Sequence, residues 1–197
     1  MATITYSTSY SDLLVNQHTT GVQSNVNLSG SADGGYAAAY LSDDGYVRVD
    51  VYDADGAVVF SYSSQNSGAA DPTVELGLGT PSVVQLSNGN YVVSWLQADE
   101  NNVSTVVLGP SGTPLIDISN LDTGVGGHNT ADLIALPDGA FAVTSSAPGV
   151  LPAIMIYDSG LGLTETLVGL GEDLQNIRLA ALAGGGIAAI ATRVVGG

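Results

Sequence analysis

Asp33-Gly34-Gly35-Tyr36-Ala37-Ala38-Ala39-Tyr40 returns three times along this chain in altered form, and that recurrence decides the fold. Its counterparts are Asn88-Gly89-Asn90-Tyr91-Val92-Val93-Ser94-Trp95, Asp138-Gly139-Ala140-Phe141-Ala142-Val143-Thr144-Ser145 and Gly184-Gly185-Gly186-Ile187-Ala188-Ala189-Ile190-Ala191. The aligned glycines are Gly34, Gly89, Gly139 and Gly185, spaced 55, 50 and 46 residues apart. A short apolar run precedes each turn: Val26–Leu28, Ser82–Leu86, Leu133–Leu136 and Ile177–Leu182. Asn-Gly or Asp-Gly between two apolar runs supplies the positive φ of a tight hairpin, so each unit opens as a β-hairpin.

Each unit then runs on. Tyr46–Tyr52 alternates Val47, Val49 and Val51 with Arg48, Asp50 and Tyr52, the period of two expected of a half-buried strand. Asp53-Ala54-Asp55-Gly56 turns it into Ala57–Tyr62. In the second unit Ser104–Leu108 turns at Gly109–Gly112 into Pro114–Ile118, and in the third Ala153–Tyr157 turns at Asp158–Gly160 into Leu163–Val168. The fourth unit holds only two strands and a tail to Gly197. Its outer half has a candidate at the other end of the chain, where Ala2–Tyr6 alternates like a third strand and Asp12–Asn16 follows like a fourth. Glu172–Leu182 is the one stretch in which a turn of helix could form.

The sequence therefore predicts a single all-β domain over residues 1–197, a four-bladed β-propeller whose blades span about 22–66, 80–119, 130–168 and 175–197 plus 1–17. The alternative is a β-sandwich of similar strand count. Small residues in the second strands, such as Ala37, Ala38 and Ala39 and Ala188, Ala189 and Ala191, suit a crowded ring centre.

The unit of apolar strand, Asn/Asp-Gly, aromatic and a strand ending at Trp95, with its Tyr52-Asp53-Ala54-Asp55-Gly56 turn, resembles repeats of large acidic, leaderless bacterial surface proteins associated with calcium-dependent secretion. The resemblance covers the repeated core and implies an extracellular setting. The glycine-rich nonapeptide calcium repeats that accompany such proteins are absent from this sequence.

Composition narrows the function. Three arginines and no lysine stand against 19 acidic residues, for a formal net charge of −16. Such a surface repels nucleic-acid phosphates and anionic headgroups, because no basic patch exists to release counterions. Cysteine is absent, which removes disulfides and thiolate chemistry. The first residues form no basic and apolar leader, and no run of about 18 apolar residues spans a bilayer. Apolar residues make up 45% of the chain, high enough that some apolar surface is expected to be buried against protein partners or other copies.

Candidate chemistry is sparse. Asp53 and Asp55, at i and i+2 before Gly56, are the best metal-like pair, with calcium as the ion, but the equivalent turns of the other units carry no such pair, so the shared need is a hairpin turn rather than a ligand set. His18 and His128 lie in polar connections, and no Gly-x-Ser-x-Gly elbow accompanies the many serines. Trp95, the only tryptophan, stands where a ring could stack on a sugar; otherwise it packs in the core. The expected function is thus a non-enzymatic structural or binding module of a virion or cell surface, serving assembly or host attachment. A secreted glycan-binding adhesin, with or without calcium, is the alternative, and a carbohydrate-active enzyme a third.

Overall fold

A computed structural model describes residues 16–64, 80–96, 103–118, 132–145, 152–168 and 174–193. The expected strands at Ala2–Tyr6 and Asp12–Asn16 lie outside these residues except for Asn16, as does His128. The protein is all-β, and its described strands form four antiparallel sheets. Sheet 1 holds β1 (Gln23–Gly30), β2 (Tyr36–Ser42), β3 (Val47–Tyr52) and β4 (Val58–Ser63) in chain order. Sheet 2 holds β5 (Ser82–Gln85), β6 (Tyr91–Leu96), β7 (Val103–Leu108) and β8 (Pro114–Ile118). Sheet 3 follows with β9 (Leu133–Ala135), β10 (Phe141–Ser145), β11 (Ala153–Tyr157) and β12 (Leu163–Val168). Among the described residues, sheet 4 holds β13 (Leu174–Ala181) and β14 (Ile187–Arg193).

The turn chemistry acts as the sequence requires. Gly34, Gly89, Gly139 and Gly185 all adopt φ between 80° and 91°, a region that costs an L-residue with a Cβ about 1 kcal/mol or more. In the outer turns Gly56 and Gly112 do the same, but in sheet 3 the left-handed residue is Leu161, with φ 69°. Within the Glu172–Leu182 stretch the described residues 174–181 are strand β13 rather than helix, because cross-strand pairing with β14 outweighs a weak helical pattern.

Sheets 1 and 4 share a feature that the hairpin pattern did not reveal. β1 and β13 are both bulged, and Asn25 (φ 54°) and Asn176 (φ 52°) occupy equivalent places 151 positions apart. Asparagine tolerates this left-handed geometry through local hydrogen bonding, so each bulge needs no glycine.

Packing is serial. One core cluster joins Ala37, Ala39, Val47, Val49, Val51 and Phe60 of sheet 1 to Val83, Val93, Trp95, Val106 and Leu108 of sheet 2. The opposite face of sheet 2, with Leu86, Val92, Val103 and Val107, packs on Leu133, Phe141, Val143, Met155 and Tyr157 of sheet 3. β13 then lies beside β9 and β10, where Ile177 is fully buried and Asp132 accepts the Leu179 N–H at 2.6 Å. Polar bonds tie the first pair as well: the Val83 N–H donates to Asn27 Oδ1 at 3.3 Å and the Ala32 N–H to Gln85 Oε1 at 3.0 Å.

Candidate functional site

The alternation of β3 sends Val47, Val49 and Val51 into the core and turns Arg48, Asp50 and Tyr52 to the other face of sheet 1. A half-buried strand would leave that face in water. Instead Asp50 and Tyr52 are each only 2% exposed, because the segment entering β1 lies across them. The Gln17 N–H donates to Asp50 Oδ2 at 2.7 Å, the Gln17 side-chain amide to the Tyr52 hydroxyl at 3.1 Å, and the His18 N–H to the Tyr40 hydroxyl at 3.4 Å.

Asp50 is the hub. Besides Gln17, it accepts the Tyr40 hydroxyl at 2.8 Å and the Ser61 hydroxyl at 2.5 Å. A buried carboxylate is tolerated only when its oxygens are bonded in this way. Register delivers the donors, since Ala38 pairs with Asp50 and Asp50 with Ser61 across β2, β3 and β4. Burial pushes the Tyr40 phenol well above its ordinary value, and the Asp50 hydrogen bond and charge push the same way.

Above this hub, toward the β2–β3 turn, opens a cleft of about 270 Å³. Gln17 and His18 form one wall, Arg48 and Asp50 the floor, and Ser61, Tyr62 and Ser63 of β4 the other wall. Arg48 is held at the rim by Asp44 and donates from Nε to Ser42 Oγ at 3.2 Å. Burial alone would raise the Asp44 carboxyl, but hydrogen bonds from Ser42 and Arg48 and the Arg48 charge outweigh it, and the net shift is downward. His18 Nε2 lies 3.9 Å from Asp44. Among the described residues, the Ser63 hydroxyl oxygen is buried without a hydrogen-bond partner.

The residues singled out from the sequence are placed elsewhere and are not brought together. Asp53 and Asp55 sit on the β3–β4 turn, at the other end of β3. Asp53 Oδ1 accepts the N–H groups of Asp55 at 3.0 Å and Ala57 at 2.8 Å. Asp158 does the same for Gly160 and Gly162 in sheet 3, so the carboxylate repeated at this turn organises backbone. Among the described residues no three His, Cys, Asp or Glu side chains converge as a metal ion would need. Trp95 is fully buried between sheets 1 and 2, with its indole N–H unpartnered among the described residues. Among the described residues, no helix is long and apolar enough to cross a membrane.

The cleft escaped sequence reading because each of its residues looked like the polar half of an ordinary strand. The available signal was positional. Asp50 stands in the repeat where Val106 and Met155 stand in sheets 2 and 3, judged by their partners Ala38, Val93 and Val143. A charge at a position that is apolar in the other units marks departure from the scaffold.

No family model and no curated protein matches the chain. Among solved structures, it resembles a protein assigned as an exo-β-1,3-galactanase from Bifidobacterium bifidum s17, with a TM-score of 0.53 and 15% identity. That match covers 82% of this chain and 59% of the other. The intramolecular trans-sialidase from Ruminococcus gnavus, in complex with oseltamivir carboxylate, matches with a TM-score of 0.52 and 12% identity, over 83% of this chain and 37% of its own. The chain thus spans less than two thirds of either protein, and at these identities the likeness is one of fold.

Proposed function

We propose that the protein is a non-enzymatic attachment and assembly module of a virion or cell surface. Its four sheets are blades of a propeller-type ring, and the sheet 1 cleft takes an uncharged, hydroxyl-rich group such as a surface glycan. The serial packing of sheet on sheet supports the ring, since a two-layer sandwich would not place a sheet on both sides of sheets 2 and 3. The observation that carries the binding reading is the cleft itself. It presents hydrogen-bonding groups fixed by the scaffold, among them Gln17, Arg48 and Ser61.

The same geometry argues for binding over catalysis. Glycoside hydrolysis uses two carboxyl groups roughly 5–9 Å apart with room for sugar or water between them. Here Asp50 is enclosed by three donors, and Asp44 is engaged by Arg48 and Ser42. The net charge of −16 disfavours acidic ligands, so neutral glycans fit better than sialylated or sulfated ones.

A glycan array read with the intact chain and with Arg48→Ala tests this. Binding to neutral glycans, weakened about tenfold or more by the substitution and unaffected by calcium, is the expected result. Release of sugar from a bound glycan, or binding that persists unchanged in Arg48→Ala, would overturn it.

A further inference from the structure

The segment that enters β1 is built as a strap with a fixed base and a lightly tied tip. At the base the Asp43 N–H donates to the Val22 carbonyl at 3.0 Å. At Gly21, with φ 75°, a Cβ would fall 1.8 Å from the Asp43 carboxylate, so only glycine lets the chain turn there. Gln23 donates to the Thr20 and Gly21 carbonyls at 2.8 and 3.1 Å, and Asn16 to the His18 carbonyl at 2.9 Å. These bonds shape the strap without tying it down. The tip is held on sheet 1 through Gln17, on Asp50 and Tyr52, and through the long 3.4 Å bond from the His18 N–H to Tyr40. Backbone bonds lapped by solvent in this way open locally at low free energy.

The His18 side chain stands between the strap and the sheet. Its Nε2 lies 3.9 Å from Asp44 Oδ2, too far for a hydrogen bond but close enough for an ion pair once the ring is protonated. The surrounding groups favour that charge. Asp43 and Asp44 approach from the β2–β3 turn, Arg48 and Asp50 from β3, the Tyr40 hydroxyl from β2, and Ser61, Tyr62 and Ser63 from β4. Three carboxylates thus stand around one guanidinium, and a second cation is attracted there. Arg48 does not bar it. Asp44 accepts Arg48 Nη2 on Oδ2 and the Ser42 hydroxyl on Oδ1, and a carboxylate offers about four lone-pair sites.

We propose that Asn16–Gly21 is a pH-sensitive strap: acidification protonates His18, the imidazolium pairs with Asp44, and the strap is held down as the wall of the cleft. Imidazole is the side chain that ordinarily changes charge between pH 5 and 8. Burial raises the Asp44 carboxyl, but the Ser42 and Arg48 hydrogen bonds and the Arg48 charge more than offset it, so Asp44 stays an anion through that window. The device regulates the site proposed above and rests on it in that respect, whereas closure of the strap is measured without any ligand.

Hydrogen exchange of the Gln17 and His18 amides in the full-length chain tests it, with protection factors corrected for the intrinsic rate at each pH. Protection about threefold higher at pH 5.5 than at pH 7.5 is expected, with no such rise in Asp44→Asn or His18→Gln. His18→Arg carries the cation at either pH and should be protected at both, which a merely structural role for the ring would not produce. A rise that survives in Asp44→Asn, level protection in the unaltered chain, or lost protection in His18→Arg would overturn the strap. The glycan array, read at both pH values, tests the consequence: signal from retained neutral glycans should rise about threefold in acid. Level signal beside rising protection would overturn the regulation. An array blank at both pH values overturns the glycan reading instead, and the exchange result still decides the strap.

Discussion

Sheets 1 and 4 start from one plan and end differently. Their first hairpins superimpose residue for residue at an offset of 151, with the same bulge and the same left-handed asparagine. Yet β2 is buried and β14 is exposed. The difference comes from neighbours, since β2 has β3 on its outer edge and sheet 2 on its core-facing side. Local sequence thus makes the hairpin, while burial of a strand is decided by what the rest of the chain brings to its edge and its two faces.

The largest test of that contrast is at charged groups. Asp50→Ala removes the acceptor of three buried or half-buried donors in sheet 1 and should destabilise the protein by about 3 kcal/mol in urea unfolding. In sheet 4, Arg178→Ala breaks a 3.4 Å pair to Asp132 at a side chain that is 59% exposed. It should cost no more than about 0.5 kcal/mol. Equal losses would mean that the two sheets are equally enclosed.

Next come equivalent glycines. A Cβ on Gly35 would meet the Tyr52 carbonyl oxygen at 2.1 Å, backbone that cannot step aside, whereas one on Gly186 meets nothing nearer than Leu182 Cδ1 at 3.5 Å. Gly35→Ala should therefore cost about 2–3 kcal/mol in the same unfolding assay. At Gly186 the described neighbours leave room, and a cost appears only if a third strand lies there. The pairing of N-terminal strands with sheet 4 that the sequence predicts gives more than about 1 kcal/mol for Gly186→Ala, and a neutral substitution would count against it.

A smaller effect is set by pH. Tyr36, Tyr40, Tyr52, Tyr91 and Tyr157 are all raised above their ordinary value, by burial first. A phenol with a raised folded pKa stabilises the fold below its unfolded value and loses that contribution as pH climbs past it. Stability should accordingly fall as pH rises beyond about 10, and most steeply for sheet 1, which holds Tyr36, Tyr40 and Tyr52. A denaturant midpoint that stayed level from pH 9 to 11 would contradict these environments. Smallest of all, Asp44→Asn should shift stability by less than about 0.5 kcal/mol, because its ion pair lies at the rim of the cleft. The lowered Asp44 carboxyl implies that its contribution is present above about pH 4 and fades as pH falls further.

Much of the fold was legible because its signals are local. Asn-Gly and Asp-Gly fix a hairpin wherever they fall between apolar runs, and the described strands follow the repeat closely. β13 is legible only in its second half, Ile177 onward, because Glu172–Leu182 mixes polar and apolar residues without a clean period, and pairing to β14 extends the strand back to Leu174. The cleft was not legible, since Asp50 becomes a hub only when Gln17, Tyr40 and Ser61 arrive from positions up to 33 residues away in sequence. Trp95 shows the converse: a lone aromatic at a strand end reads either as a binding ring or as a core residue, and only the packing of sheets 1 and 2 places it between them.

The most direct measurement of the contrast between sheets 1 and 4 is amide hydrogen exchange across β14 in the full-length chain. In an antiparallel strand alternate N–H groups point to opposite neighbours, so half of the β14 amides face away from β13. If residues 2–16 complete sheet 4, those outward amides exchange as slowly as the corresponding amides of β2, which face β3. If they exchange as fast as the amides of an unpaired edge, while those facing β13 stay protected, β14 is a true edge strand and the closure of the stack by this segment is wrong.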